Sequence, residues 1–391
     1  MKQEYYYQHM NKAEQSVYRA MLAGFEMISP EFPVLRLDGR DLSDLFFRLR
    51  LDHPSVFYVE GFRYRYQEHS DYVQLIPQYM FEKKKIKEMK NALEARMNRL
   101  VQPAKNLSPD EKERYVHDFI CANVTYDKLK KQYSHEIIGP LQQGIGVCEG
   151  IAKTVKILCD RLGLECLIAV SQANPEKGVR YRHAWNVVKL KNTWYHLDAT
   201  FDNSLGRYGQ MRFDYYNLDD RMIFRDHEPL VYPIPQCTDG TRFYYKENRL
   251  SMTRVEDVAG RMKAVLRKKQ PFFVFHWRGG ALNRSVLEQI AGIASEAARE
   301  KGIRIDLSSR VTRVLGTDSG EAVVFYEKDG AEHAANAQKV LVAVGRAPEM
   351  DREALELAGI GFDKKGIKTG ENLETSMKGV YAIGDVNGRI Q

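Results

Sequence analysis

No stretch of this sequence approaches the roughly 18 consecutive apolar residues that a membrane-crossing helix needs. The N-terminus, Met1-Lys2-Gln3-Glu4 before Tyr5-Tyr6-Tyr7, lacks the apolar core of a secretory signal. No membrane partner is expected, and the chain reads as cytoplasmic. Cysteine is scarce, with five among 391 residues, an odd number at irregular spacing that fits reduced thiols and no disulfide framework. Cys148, Cys159 and Cys166 stand 11 and 7 residues apart. That spacing supplies no paired ligand knuckles, so no metal site is assigned.

A phosphate-binding P-loop is also missing. Gly144-x-Gly146-x-x-x-Gly150 has some of the spacing of a dinucleotide loop, but it follows Pro140-Leu-Gln-Gln where such a loop needs a hydrophobic strand. Basic residues outnumber acidic ones by 59 to 52, and the excess is uneven. Residues 303–391 hold 12 Lys/Arg and 14 Asp/Glu, so the surplus lies in the preceding part of the chain. There it is diluted, apart from Lys83-Lys84-Lys85 on what reads as a solvated helix. Nucleic-acid binding needs basic residues gathered on one face among aromatics, and no such partner is expected.

What is present is ordinary globular material, 43% apolar and 28% charged, at a length that suits two or three domains. Ala13–Ile28 and Asp41–Leu51 have helical apolar spacing, and the second must stop before His53-Pro54. Val56–Tyr66 and Tyr72–Tyr79 read as a strand pair around the turn His69-Ser70-Asp71. Phe81–Leu100 is a long charged helix. Another opens at Ser108-Pro109-Asp110-Glu111, where Ser108 and Glu111 make a capping box.

Residues 133–220 carry the chemistry. Ile151, Val155, Leu158 and Leu162 form one helical stripe that Gly163 ends, which puts Cys148 at a helix N-terminus. Arg182–Leu190 and Thr193–Asp198 follow as two strands joined by Lys191-Asn192. If those two residues are the loop, paired positions sum to 383, Asp198 faces Trp185, and His183 is the diagonal neighbour of Asp198. Slipping the turn by one residue each way makes His183 and Asp198 directly opposed. Opposed Cβ atoms lie about 5 Å apart and diagonal ones about 7–8 Å, so an aspartate can orient an imidazole in either register. A nucleophilic thiol needs a favoured thiolate, a base in reach and a group that holds the base. The helix start, His183 and Asp198 can supply them. The other reading of a single thiol is a small buried packing residue, and Cys121, Cys159, Cys166 and Cys237 are given that reading.

Three blocks in this order, Gly146-Val-Cys148-Glu-Gly150-Ile-Ala152, His183-Ala-Trp185-Asn186 and Trp194-Tyr-His-Leu-Asp198-Ala-Thr200, resemble the transglutaminase-like superfamily of papain-type thiol enzymes. Asp52-His53-Pro54, the run from Arg212 to Leu218, Asp226-His227 and Pro235-Gln-Cys237 extend the similarity over about residues 1–290. The resemblance implies an α+β fold with a papain-like core, a Cys-bearing helix packed on an antiparallel sheet, preceded by an N-terminal region of helices and strands. It implies a triad of Cys148, His183 and Asp198 acting on a peptide or protein substrate, with no organic cofactor for the thiol site. Ile151 departs from the family, which usually has tyrosine there, and its place on the inward stripe makes this a packing change. Gln142 stands at the spacing where papain-like proteases place an oxyanion donor, and it also reads as an ordinary loop residue. Trp185 is expected either to shield the thiolate–imidazolium pair or to be plain core. The activity expected is cysteine peptidase, amidase or acyl transfer, with hydrolysis favoured because no acceptor pocket is legible. The alternative is a non-catalytic module that holds peptides in the same cleft.

From about Gly302 the character changes. Ile303–Leu307, Val311–Leu315 and Ala322–Tyr326 read as strands, with Asp329-Gly330 as a hairpin turn. Lys339–Pro348 and Thr375–Val386 then resemble dihydrolipoamide-dehydrogenase-type flavoprotein disulfide reductases, pyridine nucleotide-disulfide oxidoreductases in which an aspartate, here Asp385, contacts the ribityl chain of FAD. Residues 303–391 contain no cysteine and no Gly-rich phosphate loop. The expectation is a truncated, β-rich α/β fragment in which Asp385 is a vestigial contact, with FAD bound and flavin-dependent oxidoreductase activity possible only if the fragment is functional. The divisions expected are an N-terminal α+β region (1–128), the transglutaminase-like core (129–235), an accessory α/β segment (236–302) and the oxidoreductase-like fragment (303–391).

Overall fold

The computed structural model describes residues 4–391 apart from 67, 178, 180, 207–210, 269, 271–272, 301, 303, 307, 317–320, 341–349, 364–365, 371–372, 383–385 and 387–391. The chain divides into two units, Met1–Ala297 and Ala298–Gln391. The first unit contains the segments that the sequence divides at 128 and 235. Among the described residues no helix is long and apolar enough to cross a membrane.

In the first unit, local signals set the helix starts. Asn11 and Ser108 each close a full capping box, with Glu14 and Glu111, on the helices Lys12–Glu26 and Pro109–Asn123. Asp38 caps Gly39–Asp52 by accepting from the backbone N–H groups of Arg40 and Asp41. The first helix stops short of the predicted Ile28 because that residue is left-handed, at φ 52°. Val59–Tyr66 and Tyr72–Tyr79 pair as an antiparallel hairpin. A third strand, Phe32–Leu35, adds to the second of these. Pro33 weakens the strand signal of this segment, and the strand sits at the sheet edge where proline is tolerated.

The core is the helix Cys148–Leu162 laid against a four-stranded antiparallel sheet in the order Glu165–Val170, Ala184–Leu190, Thr193–Leu197, Tyr216–Leu218. Gly163 (φ 77°) ends the helix as a left-handed cap. Gly150, in its first turn, is required by close approach, since a Cβ there would meet the Ser134 carbonyl oxygen at 2.2 Å. Asn186 pairs with Leu197 and Leu190 with Thr193, the register that a Lys191-Asn192 loop dictates, and Lys191 takes φ 57°. Val155, Leu158, Cys159, Cys166, Leu167 and Val187 fill the interface. The same helix also buries Lys153 and Lys156 completely. Lys156 is paired with Asp160 at 2.8 Å, and Lys153 with Glu149 at 2.7 Å and Glu136 at 2.8 Å. The fold is α+β.

In the second unit, Arg310–Gly316, Ala322–Lys328 and Ala331–Ala337 form an antiparallel sheet in that order. Asp329 (φ 51°) and Gly330 (φ 77°) make the expected two-residue turn. Residues 304–306 are not in a strand. Side chains hold Asp306 there instead, through Arg304 and Lys328. Most of the Lys339–Pro348 block (341–348), Gly384 and Asp385 lie outside the described residues.

Candidate active site

Cys148 opens its helix behind Val147, whose extended backbone makes no side-chain cap. The first-turn N–H groups of any helix lack intrahelical partners and carry the positive end of its dipole. Cys148 is partly exposed and lines a cavity of about 530 Å³. Phe47, Leu51, Val147, Val170 and Tyr181 give this cavity apolar walls, and Lys130 and Arg182 bring positive charge to it. Lys130 Nζ sits 3.6 Å over the Tyr181 ring. Glu149, the acid in the lining, is already engaged by Lys153 at 2.7 Å, His135 at 3.2 Å and Arg50 at 3.6 Å. Burial alone would raise its pKa, but those cations hold it well below the usual carboxylate range.

His183 lies one residue before the strand Ala184–Leu190, and Asp198 follows Thr193–Leu197 as the N-cap of the helix Ala199–Leu205. The hairpin therefore brings them together: His183 Nε2 lies 2.6 Å from Asp198 Oδ2. The other ring nitrogen is not engaged by Asp198, and the imidazole and the Cys148 thiol line the same cavity and interact electrostatically. Burial would lower the basicity of His183. The Asp198 charge, its hydrogen bond and the contact with Cys148 outweigh this and hold the imidazole at about 10. Asp198 is fully buried. Its Oδ1 accepts from Thr200 N at 2.9 Å and Phe201 N at 3.1 Å. Burial raises its pKa, but His183 and His227 together bring it well below the usual range.

His227 is the residue that sequence reasoning missed. Its Nε2 lies 3.0 Å from Asp198 Oδ2 and its Nδ1 2.7 Å from Asp226 Oδ1. The pair Asp226-His227 was visible, but no periodicity connects it to the hairpin. Trp185 is 1% exposed and lies nearly parallel to the His183 ring, at 5.8 Å and 15°. Phe201 stacks on His183 at 4.8 Å and 29°. Gln142 is a correction. It is exposed and lines a separate surface pocket with Phe81, Lys85 and Met89, not the Cys148 cavity. The π-helical turn Gly139–Gln143 and left-handed Gly144 (φ 66°) redirect the chain between it and the thiol.

Two donor sets, His183/Asp198/His227 and His196/Asp220/Cys237, are close enough to face a metal ion. Their nitrogen and carboxylate donors are already taken up by hydrogen bonds within the chain. Burial, then Asp220 and Asp219, push the Cys237 thiol well up, which makes it a poor ligand.

The sequence profile of the transglutaminase-like superfamily matches residues 94–199, and that of the pyridine nucleotide-disulphide oxidoreductases matches 268–391. The chain thus carries a transglutaminase-like domain followed by an oxidoreductase-like segment, which starts earlier than the change of character near residue 302 suggests. Over its C-terminal part it is 36% identical across 104 residues to a dihydrolipoyl dehydrogenase of Bacillus subtilis, covering 27% of this chain and 22% of that protein. It is 30% identical across 115 residues to a glutathione reductase of Yarrowia lipolytica, covering 29% of this chain and 24% of that one. The chain therefore spans only about a quarter of the length of these relatives. Among solved structures, a transglutaminase aligns over 64% of this chain and 71% of its own at 11% identity and TM-score 0.26. A candidate cysteine protease from Cytophaga hutchinsonii aligns over 36% and 61% at 14% identity and TM-score 0.24. At these scores neither adds to the profile match.

Proposed function

We propose that this protein is a thiol enzyme that cleaves or transfers acyl groups at peptide amide bonds, with Cys148 as nucleophile, His183 as acid and base, and Asp198 as the group that holds the imidazole. The observation that carries this reading is the 2.6 Å contact between His183 Nε2 and Asp198 Oδ2, beside a cavity that His183 and Cys148 line together. A protonated His183 beside the sulfur is the charge partner that a thiolate nucleophile uses.

The thiolate attacks the substrate carbonyl carbon, forming a C–S bond and a tetrahedral oxyanion. The backbone N–H groups at the start of the helix can donate to that oxyanion. On collapse the C–N bond breaks, the amine leaves with the His183 proton, and a thioester remains on Cys148. Water, losing a proton to His183, then attacks the thioester. The C–S bond breaks, and the acid product leaves behind thiolate and imidazolium. An amine in place of water would give transfer. The apolar walls formed by Phe47, Leu51 and Val170, with Lys130 and Arg182 beside them, suit a peptide with a bulky apolar side chain.

The test is incubation with electrophilic peptide probes followed by mass spectrometry of the protein. Covalent addition on Cys148, lost in Cys148→Ala and His183→Ala, is expected. Probe binding without any adduct on Cys148 would favour a peptide-holding module and defeat the enzyme reading.

A further inference from the structure

His196 lies on the strand beside the His183 strand, with its side chain fully buried. It neither lines the cavity nor touches Cys148, His183 or Asp198 through a hydrogen bond. Its Nδ1 lies 3.0 Å from the Trp185 indole Nε1. Indole nitrogen only donates, so Nδ1 is the acceptor and carries no proton. Its Nε2 lies 2.9 Å from Asp220 Oδ1 and is therefore the protonated nitrogen. Asp220 is itself pinned, since its Oδ2 accepts from Cys237 N at 3.0 Å and its own N–H donates to the Cys237 carbonyl at 2.8 Å. Burial lowers the pKa of His196, in keeping with a neutral ring that accepts on one side and donates on the other.

The chain of bonds ends in the Trp185 ring, which faces His183 at 5.8 Å with 15° between planes and meets His227 edge-on at 4.9 Å. An indole that is free to tilt would no longer support the His183 plane against Phe201. We infer that His196 is a positioning residue for the acyl transfer proposed above: by fixing the Trp185 indole through a one-tautomer relay to Asp220, it sets the orientation of the His183 imidazole relative to Cys148. The inference rests on the thiol-enzyme reading.

The experiment measures the second-order rate of Cys148 alkylation by iodoacetamide, by mass spectrometry on the full chain, together with the indole N–H resonances by NMR. In His196→Leu the alkylation should slow by about tenfold or more, as a misplaced catalytic group does, and the Trp185 indole resonance should move upfield. His196→Gln retains an acceptor for Trp185 and a donor for Asp220, so it should recover the parent rate to within about threefold, because the geometry is restored. A merely structural histidine would not be rescued in this way. Trp185→Phe keeps a ring in the stack without the N–H. On that background His196→Leu should add less than about twofold, the non-additivity of residues acting in series, and this comparison holds even if one single variant folds poorly. A His196→Leu protein that alkylates at the parent rate, or effects of His196 and Trp185 that simply multiply, would overturn the positioning role alone. If Cys148 in the unaltered chain reacts no faster than in the urea-unfolded chain, the thiol-enzyme reading falls and takes this inference with it.

Discussion

The imidazoles of His183 and His227 meet on one oxygen atom, since Asp198 Oδ2 lies 2.6 Å from Nε2 of the first and 3.0 Å from Nε2 of the second. The other oxygen caps a helix. A single buried carboxylate thus holds the candidate base, a second histidine and the start of Ala199–Leu205. Removing it should be costly in two separable ways. Asp198→Ala leaves two rings and two N–H groups without their acceptor and should lower stability by about 3–5 kcal/mol. Asp198→Asn keeps the size and one acceptor, so it should fold, yet it should lower turnover by about a factor of 10³–10⁴ through the wrong imidazole tautomer. Denaturant unfolding and turnover on a labelled peptide check both. An Asp198→Asn enzyme within tenfold of the parent would refute the orienting role.

The pH profile should carry the mark of His183. Its folded pKa, about 10, is raised above the ordinary histidine value. The stability contributed by the imidazolium is therefore complete below about pH 6.5 and is lost as pH rises through 10. Acylation needs the same proton for the leaving amine, so kcat/KM should fall on the alkaline side with an apparent pKa near 10. A Tm advantage of the parent over His183→Gln that shrinks between pH 7 and 10 is the expected measurement. An advantage that grows over that range would reverse the sign and reject the assignment.

Much of this site was legible because its parts are local. The register of the His183 and Asp198 strands follows from a two-residue loop, and Leu190 does pair with Thr193. The start of the thiol helix follows from the spacing of Ile151, Val155 and Leu158, all buried. What was not legible depends on chain segments that meet only in three dimensions. His227 reaches Asp198 from a later segment. Lys153 looks like a solvated residue until Glu136, far back in the chain, is placed 2.8 Å from it. Gln142 shows the opposite failure, where spacing along the chain suggested a neighbour of Cys148 that the turn at Gly144 removes.

Glu113 gives a prediction about stability that is independent of the thiol. It is fully buried, accepts from Asn217 Nδ2 at 3.1 Å, and burial pushes its pKa up to about 7, against hydrogen bonds from Tyr216 and Asn217 that lower it. Between the ordinary carboxyl value and 7 the folded chain holds a proton that the unfolded chain has released, so stability declines as pH rises across that window. Glu113→Gln removes the titration while keeping the shape. Its Tm relative to the parent should rise from pH 5 to pH 8, by an amount on the order of 1–3 kcal/mol in unfolding free energy. A pH-independent difference would show that Glu113 does not titrate in this range.

The last prediction concerns the oxidoreductase-like segment, whose relatives include dihydrolipoyl dehydrogenases that the chain covers by only about a quarter. Purified protein should be colourless and should not hold FAD stoichiometrically. Dinucleotide affinity in such folds comes largely from a pyrophosphate seated on a Gly-rich loop at a helix N-terminus. Residues 268–391 contain no G-x-G-x-x-G loop and no cysteine for a redox pair. One hydrogen bond from Asp385 to a ribityl hydroxyl would add about 0.5–1.5 kcal/mol net. Micromolar binding requires about 8 kcal/mol, so the remainder would have to come from contacts for which the segment has no phosphate-binding sequence. Absorbance between 350 and 500 nm, read on the purified chain and again after dialysis against excess FAD, decides it. A flavin band near one equivalent that Asp385→Ala abolishes would make the segment a working flavin site and overturn this reading.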